Sequence, residues 1–423
     1  MAKKYAAFPG MDDLLPGDIE KWQWIEERAR IFMEACGYKE IRTPLLEPTE
    51  LFTRSIGEAS DIVHKEMYTF EDRGGRSMTL RPEMTASVAR AVIEKGLLSR
   101  AKSLRYYYIG PMFRAERPQA GRKRQFHQIG AEIVGEAGAA ADFEIVQVLY
   151  RFLGYAGLNN VTLKINDLGQ TSDRSKITAR LSEYFTRQKE KLCKDCHYRL
   201  EKNVLRIFDC KVKSCQPVIE AAPWEEISPL GESFSELCAR LEEHEIPYRV
   251  ERRLVRGLDY YTGIVFEVAA EGLGSQDAVA GGGRYDDLYA ELGGKPTPCT
   301  GFSIGVERLL LAAEAGDNGL STQLRDHRVY LAPLETRPDV LGKCQAQALE
   351  LRSRGFRVET TPGQSSLSHH LKRANQLGLR WVVILGAEEL KKGVYLVKDL
   401  DHRKQSEVET SKLYSYLEGV ASL

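Results

Sequence analysis

Apolar residues recur at helical spacing between about Asp18 and Cys36, where Trp22, Ile25, Ala29, Phe32, Met33 and Cys36 fall along one face. Asp18 is placed to cap this helix and Gly37 to stop it. A short strand is expected over Tyr38–Thr43, broken by Pro44, and another amphipathic helix from Glu83 to Lys95. The period then changes to two. Leu104–Arg114 and Gln125–Val134 alternate like the arms of a hairpin, joined by a long loop rich in Arg, Lys and Gly. From about Gln170 to Pro229 strand periodicity is lost, and the segment reads as a charged, helical insertion because strand signals resume at Tyr248–Val255. The run Ala280-Gly281-Gly282-Gly283-Arg284-Tyr285 reads as a tight turn or a close backbone approach. Strand-like Cys299–Ile304 feeds a helix over Gly305–Ala315, and Gly316–Thr322 has the makeup of a linker.

Beyond the linker, strands alternate with helices. Val329–Ala332, Phe356–Thr360 and Trp381–Leu385 are expected strands, and Val340–Arg354 and Leu367–Leu377 expected helices. The continuous apolar run at Trp381–Leu385 needs packing layers on both faces, so this is a small α/β unit.

With 423 residues the chain can fill two or three domains. Its 60 basic residues balance 60 acidic ones, which excludes a global positive field and leaves nucleic-acid binding to local basic surfaces. No stretch approaches the ~18 apolar residues of a membrane span, and the start carries no apolar leader, so a cytoplasmic protein without membrane contact is expected. Of eight cysteines, four cluster: Cys193, Cys196, Cys210 and Cys215. Their spacing admits a thiolate zinc site, but the charged surroundings at Lys194, Asp195 and Lys211 suit a solvated helical hairpin, so free thiols and no metal are the expectation.

Polar chemistry concentrates in Arg256-Gly257-Leu258-Asp259-Tyr260-Tyr261-Thr262-Gly263, at the mouth of a strand beginning at Ile264. On the second arm of the hairpin, Gln128 and Glu132 share one face while Ile129, Ala131 and Ile133 share the other. Beside Arg114 they offer an amide, a carboxylate and a cation; an ordinary exposed sheet face reads the same way. Glu83 and Thr85 sit at a helix start, where either caps or where Glu83 takes an ammonium group. Arg308 opens a helix, a position the dipole disfavours unless a neighbouring acid such as Glu307 pairs with it. A phosphate loop of the form Gly-x-x-x-x-Gly-Lys-Ser/Thr is absent. Any nucleotide must therefore be held by arginines on a sheet, with Arg114, Arg256 and Arg308 as candidates.

Met112-Phe113-Arg114-Ala115-Glu116-Arg117-Pro118, Arg256–Tyr261 and Gly305-Val306-Glu307-Arg308 resemble the histidyl-tRNA synthetase family, and the likeness runs through nearly the whole chain. The resemblance implies an α+β fold. An antiparallel class II synthetase sheet flanked by helices fills residues 1–322, with the helical insertion at about 170–229, and a C-terminal α/β anticodon-binding domain fills 323–423. It implies an ATP-dependent ligase that makes histidyl-adenylate, releases pyrophosphate and charges the 3′ end of histidine tRNA. Arg256 and Arg114 would be catalytic; Arg114, Glu116 and Arg308 would hold ATP, with Mg²⁺ sharing the phosphate charge. Glu83, Thr85 and Gln128 would hold the histidine α-amino group, and Glu132 and Tyr261 would read the imidazole, with Tyr260 and Tyr285 lining the pocket. Gln119, Arg122 and Arg124 on the basic loop would meet the tRNA acceptor end, and the protein would be a homodimer.

One departure stands out: the family commonly has glycine where this chain has Met84, and the side chain is expected to face away from the pocket. Two other readings remain. A non-catalytic histidine-sensing regulatory subunit shares the core, but it typically lacks or alters the Arg256 segment and the C-terminal domain. A different class II ligase would not need the Glu132 and Tyr261 pair.

Overall fold

The computed structural model describes residues 5–57, 60–169, 171–228, 230–271, 273, 277–315, 328–363 and 366–421. The expected linker at 316–322, the domain boundary after 322 and the insertion limits at 170 and 229 lie outside the described residues. The chain divides into two compact units, Met1–Asn318 and Gly319–Leu423.

The first unit contains β1 (Lys39–Glu40), β2 (Leu46–Pro48), β3 (Tyr68–Glu71), β4 (Ser77–Leu80), β5 (Leu104–Phe113), β6 (Gln125–Val134), β7 (Val161–Asp167), β8 (Tyr248–Val250), β9 (Ile264–Ala270), β10 (Ala278–Arg284) and β11 (Cys299–Gly305). Eight of these form one sheet in the order β1-β5-β6-β11-β10-β9-β7-β8. The six central strands are mutually antiparallel, and only the outer β1 and β8 pair in parallel. The helix Ala139–Tyr155 buries Ile145, Val146, Leu149, Phe152 and Leu153, which gives the sheet its core. A small β2-β4-β3 sheet sits apart from it.

Several local expectations change. Asp18 stands at the N-cap of the first helix, Ile19–Ala35, but makes no capping hydrogen bond with its side chain. The expected strand at Tyr38–Thr43 shrinks to β1, and the one at Tyr248–Val255 to β8. The glycine run is no turn: Ala278–Arg284 is a central strand, paired with β9 and β11. Its glycines allow close approach instead, because a Cβ on Gly282 would lie 2.1 Å from the Gly301 carbonyl oxygen.

Across the insertion the described elements are helical, from Thr171–Arg187 and Lys194–Lys202 to Gln216–Glu220 and Trp224–Ile227. Phe185, Phe208 and Trp224 pack edge to face at its centre, with centroids 5.7 and 4.9 Å apart.

In the second unit, β12 (Arg328–Pro333), β13 (Arg357–Thr360), β14 (Trp381–Leu385), β15 (Val394–Asp399) and β16 (Lys404–Glu409) form a sheet in the order β13-β12-β14-β15-β16. Alternation assigns its faces. Val329, Leu331, Val383 and Leu385 pack with Val340, Cys344 and Leu417, whereas Tyr330, Ala332, Val382 and Ile384 pack with Ala374 and Leu379. Every residue of β14 is buried, as a strand with layers on both faces must be.

Candidate active site

The strands β6, β9, β10 and β11 and the Arg256–Tyr261 segment surround a cavity of about 510 Å³. Glu83, Thr85, Arg114, Glu116, Arg122, Gln128, Arg256, Tyr260, Tyr261, Tyr285 and Arg308 all line it. Residues more than two hundred positions apart in sequence thus meet in one place.

Glu132 does not line the cavity; it is 1% exposed and lies buried behind it, bonded to residues that do line it. Its Oε1 accepts from Thr85 Oγ1 at 2.8 Å and from the Tyr108 hydroxyl at 3.3 Å, while Oε2 accepts from the Tyr285 hydroxyl. A carboxylate offers about four lone-pair positions, so one on Oε2 stays open for a further donor. Burial pushes the Glu132 carboxyl up to about 8, against the hydroxyl donors that pull it down and with the neighbouring Glu83 pushing the same way. Tyr108 was not foreseen; its β5 position reads as core, and it is wholly buried.

This geometry depends on Gly301, which stands opposite Glu132 in the β6–β11 register. A Cβ there would lie 1.7 Å from Glu132 Oε2. Gly301→Ala is therefore expected to turn the carboxylate out of its place, costing about 1–3 kcal/mol of stability by overpacking and weakening binding in the cavity. Thermal unfolding and ligand titration on the same variant check this.

Glu83 stands just ahead of the helix Thr85–Glu94 and accepts from the Thr85 and Ala86 amides at 2.7 and 2.9 Å. It caps the helix and faces the cavity at once, and burial raises its pKa despite those donors. Met84 between them is buried in the core and makes no part of the cavity lining; its Sδ accepts from Thr43 Oγ1 at 3.4 Å. Its φ of −108° puts no premium on glycine there. Gln128 donates to Ser303 Oγ at 3.3 Å, and its own Oε1 is buried with no hydrogen-bond partner among the described residues.

The three arginines are each fixed differently. Arg114 donates from Nε to the Pro82 carbonyl at 2.9 Å and lies 5.1 Å from the Phe126 ring centroid. Arg256 donates from Nη1 to Glu267 Oε2 at 2.5 Å, and its carbonyl accepts from Arg206 Nη1 at 3.0 Å. Arg308 stands at the third position of the helix Val306–Ala315 and donates to the Gly121 and Ala278 carbonyls. Glu307 instead accepts from the His127 amide at 3.0 Å. Burial lowers the Arg308 pKa, with Arg122 acting in the same direction.

The basic loop places its residues at the cavity edge. Arg122 Nη1 pairs with Glu116 at 3.0 Å, and the Gln119 and Arg122 backbones bond to each other at 2.9 and 3.0 Å. Gln119, Arg117 and Arg122 line a second hollow with Lys65 and Glu116. Arg124 lines neither; it donates from Nε to the Glu116 carbonyl at 3.2 Å. The insertion adds a wall that sequence reasoning missed: Arg199, Arg206, Asp209 and Lys211 face the cavity. A charged helical segment gives no sign of such a role until folding places it.

A family model described as histidyl-tRNA synthetase matches residues 10–191 and 211–309, and one described as an anticodon binding domain matches 328–419. A histidine–tRNA ligase of Thermotoga maritima is 45% identical over 419 residues, covering 98% of each chain. The crystal structure of apo histidyl-tRNA synthetase from S. aureus is similar at 30% identity, with a TM-score of 0.72 over 98% of this chain and 100% of that one. A Bacillus halodurans structure described as an ATP phosphoribosyltransferase regulatory subunit/histidyl-tRNA synthetase has a TM-score of 0.64 over 92% of this chain and 100% of that one. At 23% identity, that likeness speaks to the fold alone.

Proposed function

The chain belongs to the histidyl-tRNA synthetase family, and from that premise we propose how its cavity divides the work. Its activity is the ATP-dependent joining of L-histidine to tRNA, with an anticodon-binding domain at the C-terminus. The observation that carries the assignment of roles is the meeting of Glu83, Arg114, Gln128 and Arg256 around one cavity, with Glu132 buried behind it and bonded to the lining residues Thr85 and Tyr285.

Histidine binds with its ammonium group toward Glu83, Thr85 and Gln128, whose unpartnered Oε1 is an acceptor in need of a donor. An imidazole N–H fills the open position on Glu132 Oε2, and Tyr261 takes the other ring nitrogen, with Tyr260 and Tyr285 closing the pocket. The substrate carboxylate attacks the α-phosphorus of ATP, the bond to the β-phosphate breaks, and pyrophosphate leaves. Negative charge grows on the phosphoryl oxygens during this step. Arg114 and Arg256, already oriented by Pro82 and Glu267, stabilise it more in the transition state than in the ground state.

Glu116 and Arg308 hold the nucleotide. Glu116 and Glu267 would supply hard oxygen donors that suit Mg²⁺, which when bound would neutralise phosphate charge. In the second step a ribose hydroxyl at the tRNA 3′ end attacks the acyl carbon, and AMP leaves.

We assign the tRNA acceptor end to Gln119, Arg122 and Arg124, the active protein to a homodimer and its place to the cytoplasm. Among the described residues, no helix is long and apolar enough to cross a membrane. Residues 1–322 are the catalytic domain, with the insertion at about 170–229, and 323–423 the anticodon-binding domain.

Exchange of labelled pyrophosphate into ATP, run without tRNA and with each standard amino acid, tests the reading. Histidine alone is expected to support exchange. Histidine binding with no exchange would instead indicate the sensing paralogue. Gln119→Ala is expected to raise KM for tRNA by roughly five- to tenfold, the worth of one hydrogen bond, with tRNA-free exchange unchanged. An equal loss in both assays would remove Gln119 from the tRNA surface.

A further inference from the structure

The insertion holds a cluster that the reaction does not use. Cys193, Cys196, Cys210 and Cys215 place all four Sγ atoms within 4.8 Å of one another. The family model leaves residues 192–210 unmatched, and with them Cys193, Cys196 and Cys210, while Cys215 lies in its second matching stretch. From this geometry we propose that the four thiolates bind one structural zinc ion.

Four zinc–sulfur bonds of about 2.3 Å in a tetrahedron set the sulfurs about 3.8 Å apart. Cys193 Sγ and Cys210 Sγ are 3.8 Å apart. Disulfides need about 2.05 Å and join sulfurs in pairs, whereas here four converge on one point and none of the eight cysteines is bridged. Three of the four are buried, Cys196 and Cys215 completely, as a closed structural site requires.

The surroundings suit thiolates. Backbone amides donate to sulfur from Cys193 to Cys215 Sγ at 3.2 Å and from Val212 to Cys210 Sγ at 3.4 Å. Cys193 is the N-cap of the helix Lys194–Lys202, so Cys196 lies in its first turn, where the dipole favours negative sulfur. Four clustered sulfur donors favour zinc over the oxygen-seeking cations. The proposal departs from the sequence expectation of free thiols because spacing alone does not show that both pairs reach one point.

The ion would act through position. Cys210 is flanked by Asp209 and Lys211, both of which line the cavity. Arg206, one turn earlier, bridges Asp209 Oδ2 at 2.6 Å and the Arg256 carbonyl at 3.0 Å. A metal clamp from residue 193 to 215 therefore holds the insertion wall against the segment that carries Arg256.

Elemental analysis of the full-length chain, purified without chelator from zinc-supplemented cells, is expected to find one zinc per chain. Cys196→Ser and Cys215→Ser should each lose it. Since those variants can fail to fold, the wild-type chain is also exchanged into cobalt. A tetrathiolate site then shows sulfur-to-cobalt charge transfer and intense tetrahedral d–d bands. Stripping the metal should make four further thiols reactive and lower the melting temperature by several degrees. Zinc-free protein that takes up no cobalt, with all its thiols titrating at once or with disulfides in the cluster, overturns the proposal.

Discussion

Replacing Arg256 by alanine is expected to lower histidine-dependent pyrophosphate exchange by about 10²–10³-fold, with histidine affinity changed only a few-fold. The guanidinium is set before substrate arrives. Glu267 holds Nη1, Arg206 holds the backbone carbonyl, and Gly281 leaves the room it occupies, since a Cβ there would lie 2.2 Å from Nη2. A cation fixed in that way needs no reorganisation when charge develops on the phosphoryl oxygens, and its value is realised in the transition state. Arg256→Lys is expected to recover little, because an ammonium cannot keep the Glu267 contact and present a second donor in the same plane. Exchange kinetics and calorimetric histidine binding on both variants decide it. Equal losses in affinity and turnover would move Arg256 from the reaction to ground-state binding.

Glu132→Gln is expected to produce the second large effect, a fall of at least about 10²-fold in kcat/KM for histidine and an erosion of selectivity. A site that hydrogen-bonds its substrate's polar groups rejects analogues lacking them by about 10⁴-fold, because buried partners are then left unpaired. On the proposed assignment the acceptor for the imidazole N–H would be the Glu132 oxygen already ordered by Tyr285, with Thr85 and Tyr108 on the other oxygen. The carboxyl can release its proton and become an all-acceptor when the imidazole N–H arrives, whereas an amide keeps its NH2 donor among the three hydroxyl donors. Exchange assays with histidine and with non-imidazole amino acids check the change. Retained selectivity would take imidazole reading away from Glu132.

The same residue predicts a pH dependence. Its carboxyl sits at about 8 in the folded chain against an ordinary value of 4.5, so between those limits the folded state holds the extra proton. Stability from this group is therefore full below the ordinary value and falls as pH rises toward about 8. The Gln variant should lose that component of the slope in unfolding measured across the window. Unchanged pH curves would show that the carboxyl is ionised in the free protein.

Much of this protein follows from local pattern. Period-two alternation over Gln125–Val134 puts Gln128 and Glu132 on one face; Gln128 lines the cavity, and Glu132 bonds behind it to Thr85 and Tyr285, which line it. The density of polar groups at Arg256–Tyr261 identifies the other side, because no apolar strand entrance needs them. The apolar run Trp381–Leu385 declares a strand buried on both faces. In each case the side-chain period or the cost of burying charge acts within a few residues, so a single stretch of sequence suffices.

Other features depend on contacts between distant segments. Glycines 281–283 have no side-chain period to read, and their strand exists because β9 and β11 supply hydrogen-bond partners on both sides. Tyr108 looks like core until Glu132, on the neighbouring strand, gives its hydroxyl an acceptor. The insertion's Arg206 and Asp209 look like solvated charge until folding brings them to the Arg256 carbonyl. The cysteine spacing permits several pairings, and only packing of the insertion helices draws the four sulfurs to one point. Sequence by itself determined most of the elements and the change of pattern after residue 328, and it picked out polar groups that line the cavity, since these follow from local periodicity and composition. Which of those groups touch was decided by tertiary structure, because hydrogen bonding and close packing act over a few ångströms between residues that are far apart along the chain.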